Sequence, residues 1–174
     1  MCFIYFSLMN FELRPFRPGD AESLGFHANN RNISDNLTNG FPFPYTIDHA
    51  DKFIEMARSH EPTQIMAITH DDKVIGGIGL HRQEDVYAKN MELGYWLSEL
   101  HWGKGIMTEA IKQMITYGFE NFDISRIFAR PFGYNKGSIK ALDKAGFVQE
   151  AFLKETFYKN GQFFDEFIFA VRTG

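Results

Sequence analysis

The chain has 174 residues, a net charge of −4 and a pI near 5.8, which suits one domain with a self-sufficient core and excludes the clustered basic footprint of a nucleic-acid-binding protein. Its single cysteine, Cys2, excludes an internal disulfide framework and suits a reducing compartment, so cytoplasm is the default location. The 19 phenylalanines predict an aromatic-rich core, and the acidic balance suits an amine-bearing or cationic partner.

Met1 to Leu8 is apolar but shorter than a spanning helix, and it lacks the basic region and cleavage site of a signal peptide. It reads as an extension (1–8) ahead of one domain (9–174), with Met9 an alternative start and no membrane segment. Phe11 to Phe16 alternates and then meets Pro15, which predicts a short edge strand. Asp20 can cap a helix carrying Leu24 and Phe26, which the polar run Asn29 to Asn32 ends.

In Phe41-Pro42-Phe43-Pro44-Tyr45-Thr46 each proline pushes the residue before it out of the α region, so the loop is extended and presents three rings. Phe41, Phe43 and Tyr45 either tuck into the core or form a wall of a substrate pocket. Thr46 or Asp48 then caps a helix through Ala50, Phe53, Ile54 and Ala57. Runs 64–69 and 73–80 flank His70-Asp71-Asp72 as a hairpin. Three glycines in the second run point to close approach by a ligand or a helix.

Met91 to Ser98 reads as a strand, and apolar residues from Ile106 to Phe122 recur with helical spacing. Gly103 and Gly105 join the two. A strand, a glycine turn and a helix N-terminus make an anion site, because the backbone approaches without Cβ interference and the first N–H groups are unpaired. Arg126 to Arg130 is a strand ended by Pro131, Asn135 opens a helix carrying Ile139, Ala141 and Leu142, and Ala145-Gly146 stops it. From Phe147 a long arm turns at Asn160-Gly161 and returns over Phe163 to Val171. The order β, α, α, β, β, β, α, β, α, β, β predicts a mixed α/β domain with a mostly antiparallel central sheet flanked by helices.

Three features in this order, a strand bearing Glu92, the Trp102-Gly103-Lys104-Gly105 turn into a helix, and Asn135 to Phe147, resemble the GNAT superfamily of acetyl-CoA-dependent N-acetyltransferases. More narrowly, with the aromatic loop and Thr108-Glu109-Ala110, the chain is similar to the branch of ribosomal-protein alanine and serine N-terminal acetyltransferases, over about Met9 to Arg172. The resemblance implies the GNAT acyl-CoA N-acyltransferase fold and acetyl-CoA as cosubstrate. Its pyrophosphate turn falls on Trp102, Gly103, Lys104, Gly105, Ile106 and Met107, with Thr108 beside it; Gly105 matches strictly, and Trp102 and Met107 depart. Backbone groups of Trp96, Leu97 and Ser98 would pair with the pantetheine arm like an added strand, and Asn135 would meet it from the other side.

Acetyl transfer needs a neutral amine near the thioester, donors for the developing oxyanion and a way to quench the leaving thiolate. An α-amine of pKa about 7.7 to 8.0 is already partly neutral at physiological pH, whereas neutralising a lysine costs roughly 4 kcal/mol. The resemblance places a carboxylate base at Glu92, acting through a water, on the strand face shared with Gly94, Trp96 and Ser98. Glu155 and Glu150 are weaker alternatives. Where many members carry a tyrosine acid this chain has Leu142, so Ser138 is the substitute donor; where the ribosomal enzymes carry a glutamate on the arm, it has Phe157. Asp165 and Glu166 could attract an amine, although strand alternation predicts that one is solvated. The six histidines show no metal spacing, so no metal is expected.

The implied activity is transfer of acetyl from acetyl-CoA to a primary amine, with a peptide N-terminal α-amine, a polyamine or an antibiotic amine as acceptor. The alternative is a non-catalytic acyl-CoA-binding regulatory domain, favoured if Leu142 and Phe157 mark lost chemistry. The late strands and the aromatic loop could also pair in a homodimer.

Overall fold

A computed structural model describes residues 10–174; the extension at 1–8 and the alternative start at Met9 lie outside the described residues. Seven strands form one sheet in the order β1-β2-β3-β4-β5-β7-β6. They are β1 (Glu12–Pro15), β2 (Ile65–His70), β3 (Lys73–Arg82), β4 (Asn90–Leu97), β5 (Arg126–Ala129), β6 (Val148–Lys159) and β7 (Gln162–Arg172). All neighbours are antiparallel except β4 and β5. The helices are α1 (Ala21–Ala28), α2 (Arg31–Ser34), α3 (Ile47–Ala57), α4 (Ile106–Asn121) and α5 (Lys136–Lys144). The short α2 arises where the polar run was expected only to end α1, because the Asn30 side chain accepts from the Asn32 N–H and restarts the helix.

The sheet separates two cores, as strand alternation requires. On one side α1 and α3 bury Leu24, Ala50, Ile54 and Ala57 against Phe16, Ala67, Val74 and Trp96. On the other, Ile111 and Met114 of α4 and Leu142 of α5 meet Ile78, Leu80, Met91, Leu93 and Ile127. The glycines of β3 serve the first core and not a ligand: a Cβ at Gly77 would lie 3.0 Å from the Trp96 indole, and one at Gly79 2.9 Å from Ile65. Large neighbours on adjacent strands fill those spaces.

The hairpin between β2 and β3 turns through Asp71 and Asp72, both at positive φ, the geometry that matches the twist of its strands. Asp20 does not cap α1 with its side chain. It is buried, and its carboxylate accepts two hydrogen bonds of 2.8 Å from Arg14 and one of 2.7 Å from the Arg17 N–H. A buried arginine fork outcompetes the helix end for that acceptor. No helix among the described residues is long and apolar enough to cross a membrane.

Candidate active site

The parallel strands β4 and β5 pair only at Asn90 with Arg126, Met91 with Ile127 and Glu92 with Phe128. Beyond Glu92 they part, and the inner edge of β4 is left without a strand partner. The opening is a cleft of about 730 Å³ between β4, the start of α4, the 129–134 segment and α5, with Ile33 and residues 36–38 at one end. It brings together Glu92, Trp96, Leu97, Trp102, Gly103, Gly105, Ile106, Met107, Thr108, Asn135 and Ser138 from the sequence reading.

Ser98 and Lys104 are not in the lining. The Ser98 N–H is donated to the Ile75 carbonyl at 2.7 Å, and its hydroxyl lies 2.9 Å from His27 Nδ1. Because backbone polar groups alternate between the edges of a strand, Trp96 and Ser98 turn theirs toward β3, while Leu93, Tyr95 and Leu97 face the cleft. The Leu97 carbonyl already accepts a 2.8 Å hydrogen bond from the Trp102 indole, which straps the glycine turn to the end of β4.

Phe41, Phe43 and Tyr45 are also outside the cleft lining. Phe41 packs on Tyr45 and Trp96 with ring centroids 5.0 and 5.9 Å away, and Tyr45 is buried, its hydroxyl pushed up to about 12 by burial. Phe43 lies beneath the Arg31 guanidinium. Of the two alternatives, Phe41 and Tyr45 take the core while Phe43 stays exposed, and the cleft takes its apolar and aromatic lining from residues such as Ile33, Leu37, Phe132 and Tyr134. Hydrogen bonds hold that lining: Lys159 Nζ donates to the Leu37 carbonyl at 2.6 Å, and the Tyr134 hydroxyl to the Asp35 carbonyl at 2.5 Å.

One end of the cleft suits phosphates. Gly105 stands at φ +80° as the residue before α4 and makes no side-chain cap, and Glu109 is the first to donate back, to the Gly105 carbonyl. The N–H groups of Ile106, Met107 and Thr108 are thus left for a ligand, at the positive end of a 16-residue helix. Nδ1 of His101, at the cleft lining beside this turn, is buried and has no partner among the described residues. Burial, Lys104 and the neighbouring His27 and His70 hold that imidazole below its usual pKa. Lys136, Lys140 and Lys144 line the cleft from one face of α5. Their i, i+4, i+8 spacing was readable in the sequence, but the face it pointed to was not. These groups fit a cofactor carrying several phosphates.

The lining also includes a carboxylate and two hydroxyls, on Glu92, Tyr95 and Ser138. Glu92 is half-buried; burial raises its carboxyl, the Arg130 charge opposes that and Glu166 adds to it. Glu166 is buried, accepts two 2.9 Å hydrogen bonds from Arg130, and is reached by the Thr156 hydroxyl at 3.3 Å. It is therefore not free to attract an amine. Asp165 accepts from the Glu155 N–H at a bulge in β6, and Glu150 is tied to Arg126 and Arg172. Glu92 is left as the single carboxylate among the residues lining the cleft.

Asn135 caps α5 by accepting from the Ser138 N–H at 3.1 Å, and the Ser138 hydroxyl meets the Tyr95 hydroxyl at 2.7 Å. Leu142 is fully buried in the second core, and Phe157 stacks between Phe132 and Phe164 at 4.0 and 5.4 Å. No group of three or more His, Cys, Asp or Glu among the described residues is placed to hold a metal ion.

Comparison with known proteins agrees with this geometry. The model of the acetyltransferase (GNAT) domain family matches residues 10–148. The chain is 30% identical over 167 residues to the Probable N-acetyltransferase YjcK of Bacillus subtilis (strain 168), covering 91% of this chain and 92% of that protein. It is 29% identical over 107 residues to the ribosomal-protein-serine acetyltransferase of Escherichia coli (strain K12), covering 62% and 59%. Among solved structures, the microcin C7 self-immunity acetyltransferase MccE, in complex with acetyl-CoA and AMP, superposes with a TM-score of 0.81 at 25% identity, covering 94% and 93%.

Proposed function

This chain belongs to the GNAT acetyltransferase family, and on that footing we propose that it moves the acetyl group of acetyl-CoA to the neutral form of a singly charged primary amine, such as a protein N-terminal α-amine, by direct attack. Acetyl-CoA supplies an activated thioester. The unpaired N–H groups at the start of α4 and the lysines of α5 hold its phosphates, and the cleft edge of β4 at Leu93, Tyr95 and Leu97 orients its arm. Glu92 takes the proton that the amine nitrogen gives up. Ser138 offers a hydroxyl to the leaving sulfur.

The observation that carries the acceptor class is that Glu92 is the single carboxylate lining the cleft, whose other lining includes the apolar and aromatic Ile33, Leu37, Phe132 and Tyr134 and the cations Arg130, Lys136, Lys140 and Lys144. Each further ammonium of a polyamine would enter without a counter-charge, and a buried unpaired cation is strongly disfavoured. A monoamine flanked by apolar atoms meets no such penalty. The relative named a ribosomal-protein-serine acetyltransferase supports an acceptor borne on a polypeptide.

The test is a screen that reads CoA release across N-terminal peptides, polyamines and aminoglycosides. Peptides with one amine are expected to exceed spermidine in kcat/KM by at least about tenfold, the factor of one modest differential interaction. A polyamine as the best acceptor would sink the assignment. Acetyl-CoA at about 100 times its Kd should also raise the thermal midpoint by roughly 5–10 °C. No shift at millimolar acetyl-CoA removes the cofactor itself.

The lysines of α5 make a separate prediction. Lys136 already donates to the Gly133 carbonyl at 3.1 Å, so Lys140 and Lys144 are the freer pair. Replacing both with alanine should raise KM for acetyl-CoA by roughly tenfold at low salt with kcat nearly unchanged, because point charges bind ground and transition states alike. Salt should erase most of the difference. A drop in kcat at unchanged KM would contradict a purely binding role.

A further inference from the structure

Tyr95 and Ser138 come from elements 43 residues apart, yet their hydroxyl oxygens meet at 2.7 Å in the cleft. The Tyr95 hydroxyl, part-buried in the cleft, has no other partner among the described residues, and a donor sheltered from water is costly to leave unmade. A phenol is also a far stronger acid than an aliphatic alcohol, so the tyrosine donates and Ser138 Oγ accepts. Burial holds the phenol protonated above its ordinary range, the Ser138 contact opposing it only in part, so its hydrogen is present to be donated. Ser138 has one hydroxyl hydrogen. With Tyr95 occupying a lone pair and the Ser138 N–H given to Asn135, that hydrogen is free to seek an acceptor in the cleft.

On the reading that acetyl-CoA fills this cleft, we infer that Tyr95 is a positioning residue for acetyl transfer: it fixes Ser138 as an acceptor on one side and so directs the Ser138 hydrogen at the thioester sulfur on the other. As the amine nitrogen bonds to the carbonyl carbon, the C–S bond breaks and its electron pair stays on sulfur, against that hydrogen. The proton released by nitrogen passes to Glu92 and then to solvent, and the thiolate later takes one from solvent. A thiol is a far stronger acid than an aliphatic alcohol, so its thiolate needs only a hydrogen bond to leave and no full proton transfer from serine is required. Leu142, wholly buried, offers no hydroxyl for this task, and the pair contributed by β4 and α5 takes its place.

Two measurements test it. Calorimetric binding of free CoA from pH 7 to 9.5 is expected to tighten as the thiol ionises, by up to about tenfold for each unit by which the bound thiol titrates below its free value. CoA lacking its sulfur should show no trend. Ser138→Ala should abolish the trend and Tyr95→Phe should weaken it. In steady-state kinetics Tyr95→Phe should lower kcat about tenfold, the value of one hydrogen bond to developing charge, with KM for acetyl-CoA within about twofold. The double variant should fall no further than Ser138→Ala alone. Tyr95→Phe removes one oxygen and keeps the ring, so an unchanged melting curve separates positioning from packing. Additive losses, an effect confined to KM, or a pH trend that survives Ser138→Ala would overturn the role of Tyr95. A wild-type protein that binds no CoA would instead overturn the acetyltransferase reading beneath it.

Discussion

Replacing Glu92 with glutamine is expected to lower kcat about 100-fold or more near neutral pH while leaving the acetyl-CoA thermal shift intact, since a positioned general base contributes on that scale. The substitution keeps the shape of the side chain and removes only its ability to take a proton. Burial raises the Glu92 carboxyl, with Arg130 opposing, so the acid limb of kcat/KM should lie above the ordinary carboxylate range. In Glu92→Gln that limb should vanish. The deficit should shrink as pH passes about 8, where an α-amine acceptor is already neutral. The sign for stability runs the other way: a carboxyl whose folded pKa is raised opposes folding once it is ionised, so the glutamine variant should melt at the same temperature or higher. Kinetics unchanged at pH 6.5 would acquit Glu92.

Arg14→Ala should lower the thermal midpoint by on the order of 10 °C, from about 3–5 kcal/mol for breaking a buried pair and about 2–4 °C per kcal/mol at this chain length. Arg14 and Asp20 are buried, with side-chain exposures of 5% and 7%, and they join β1 to the turn before α1. Arg14 also reaches the Asp72 carbonyl at 3.0 Å, tying in the β2–β3 hairpin. Burial by itself would raise the Asp20 carboxyl, but Arg14, the Arg17 N–H and both cations together hold it below its usual value. A depressed folded pKa contributes stability that is present above the unfolded value near 3.9 and is lost as pH falls through the folded one. The deficit of Arg14→Ala should therefore shrink below about pH 4. Arg14→Met with Asp20→Asn should recover much of the loss, because no unpaired charge is then left inside. A midpoint within about 2 °C of wild type for Arg14→Ala would show the pair to be dispensable.

Local pattern accounts for much of the architecture. The helical spacing from Ile106 to Phe122, the alternation in 91–98 and the Asn160-Gly161 turn each specify an element from residues next to one another, and α4, β4 and the β6–β7 hairpin appear where those signals lie. The glycine turn behaves likewise: Gly105 takes the positive φ that only a residue without Cβ adopts readily, and the helix start it exposes needs no distant partner. Phe41 and Tyr45 show the opposite case. Proline chemistry made their loop stiff, but whether stiff rings line a pocket or plug a core depends on what stands across from them, and here that is Trp96.

The sequence by itself determined the fold class and the glycine turn into α4, because each rests on periodicity or turn chemistry within a few residues, while the resemblance to the GNAT superfamily singled out Glu92 as the carboxylate to watch. Only the tertiary structure decided that β4 and β5 part after Glu92, that Arg130 neutralises Glu166, that Ser98 turns its backbone to β3, and that Tyr95 meets Ser138. Those facts depend on strand register and on contacts between residues 23 to 43 apart, from Ser98 with Ile75 to Arg130 with Glu166 and Tyr95 with Ser138. Periodicity states which face a side chain takes, and packing alone settles what waits on that face.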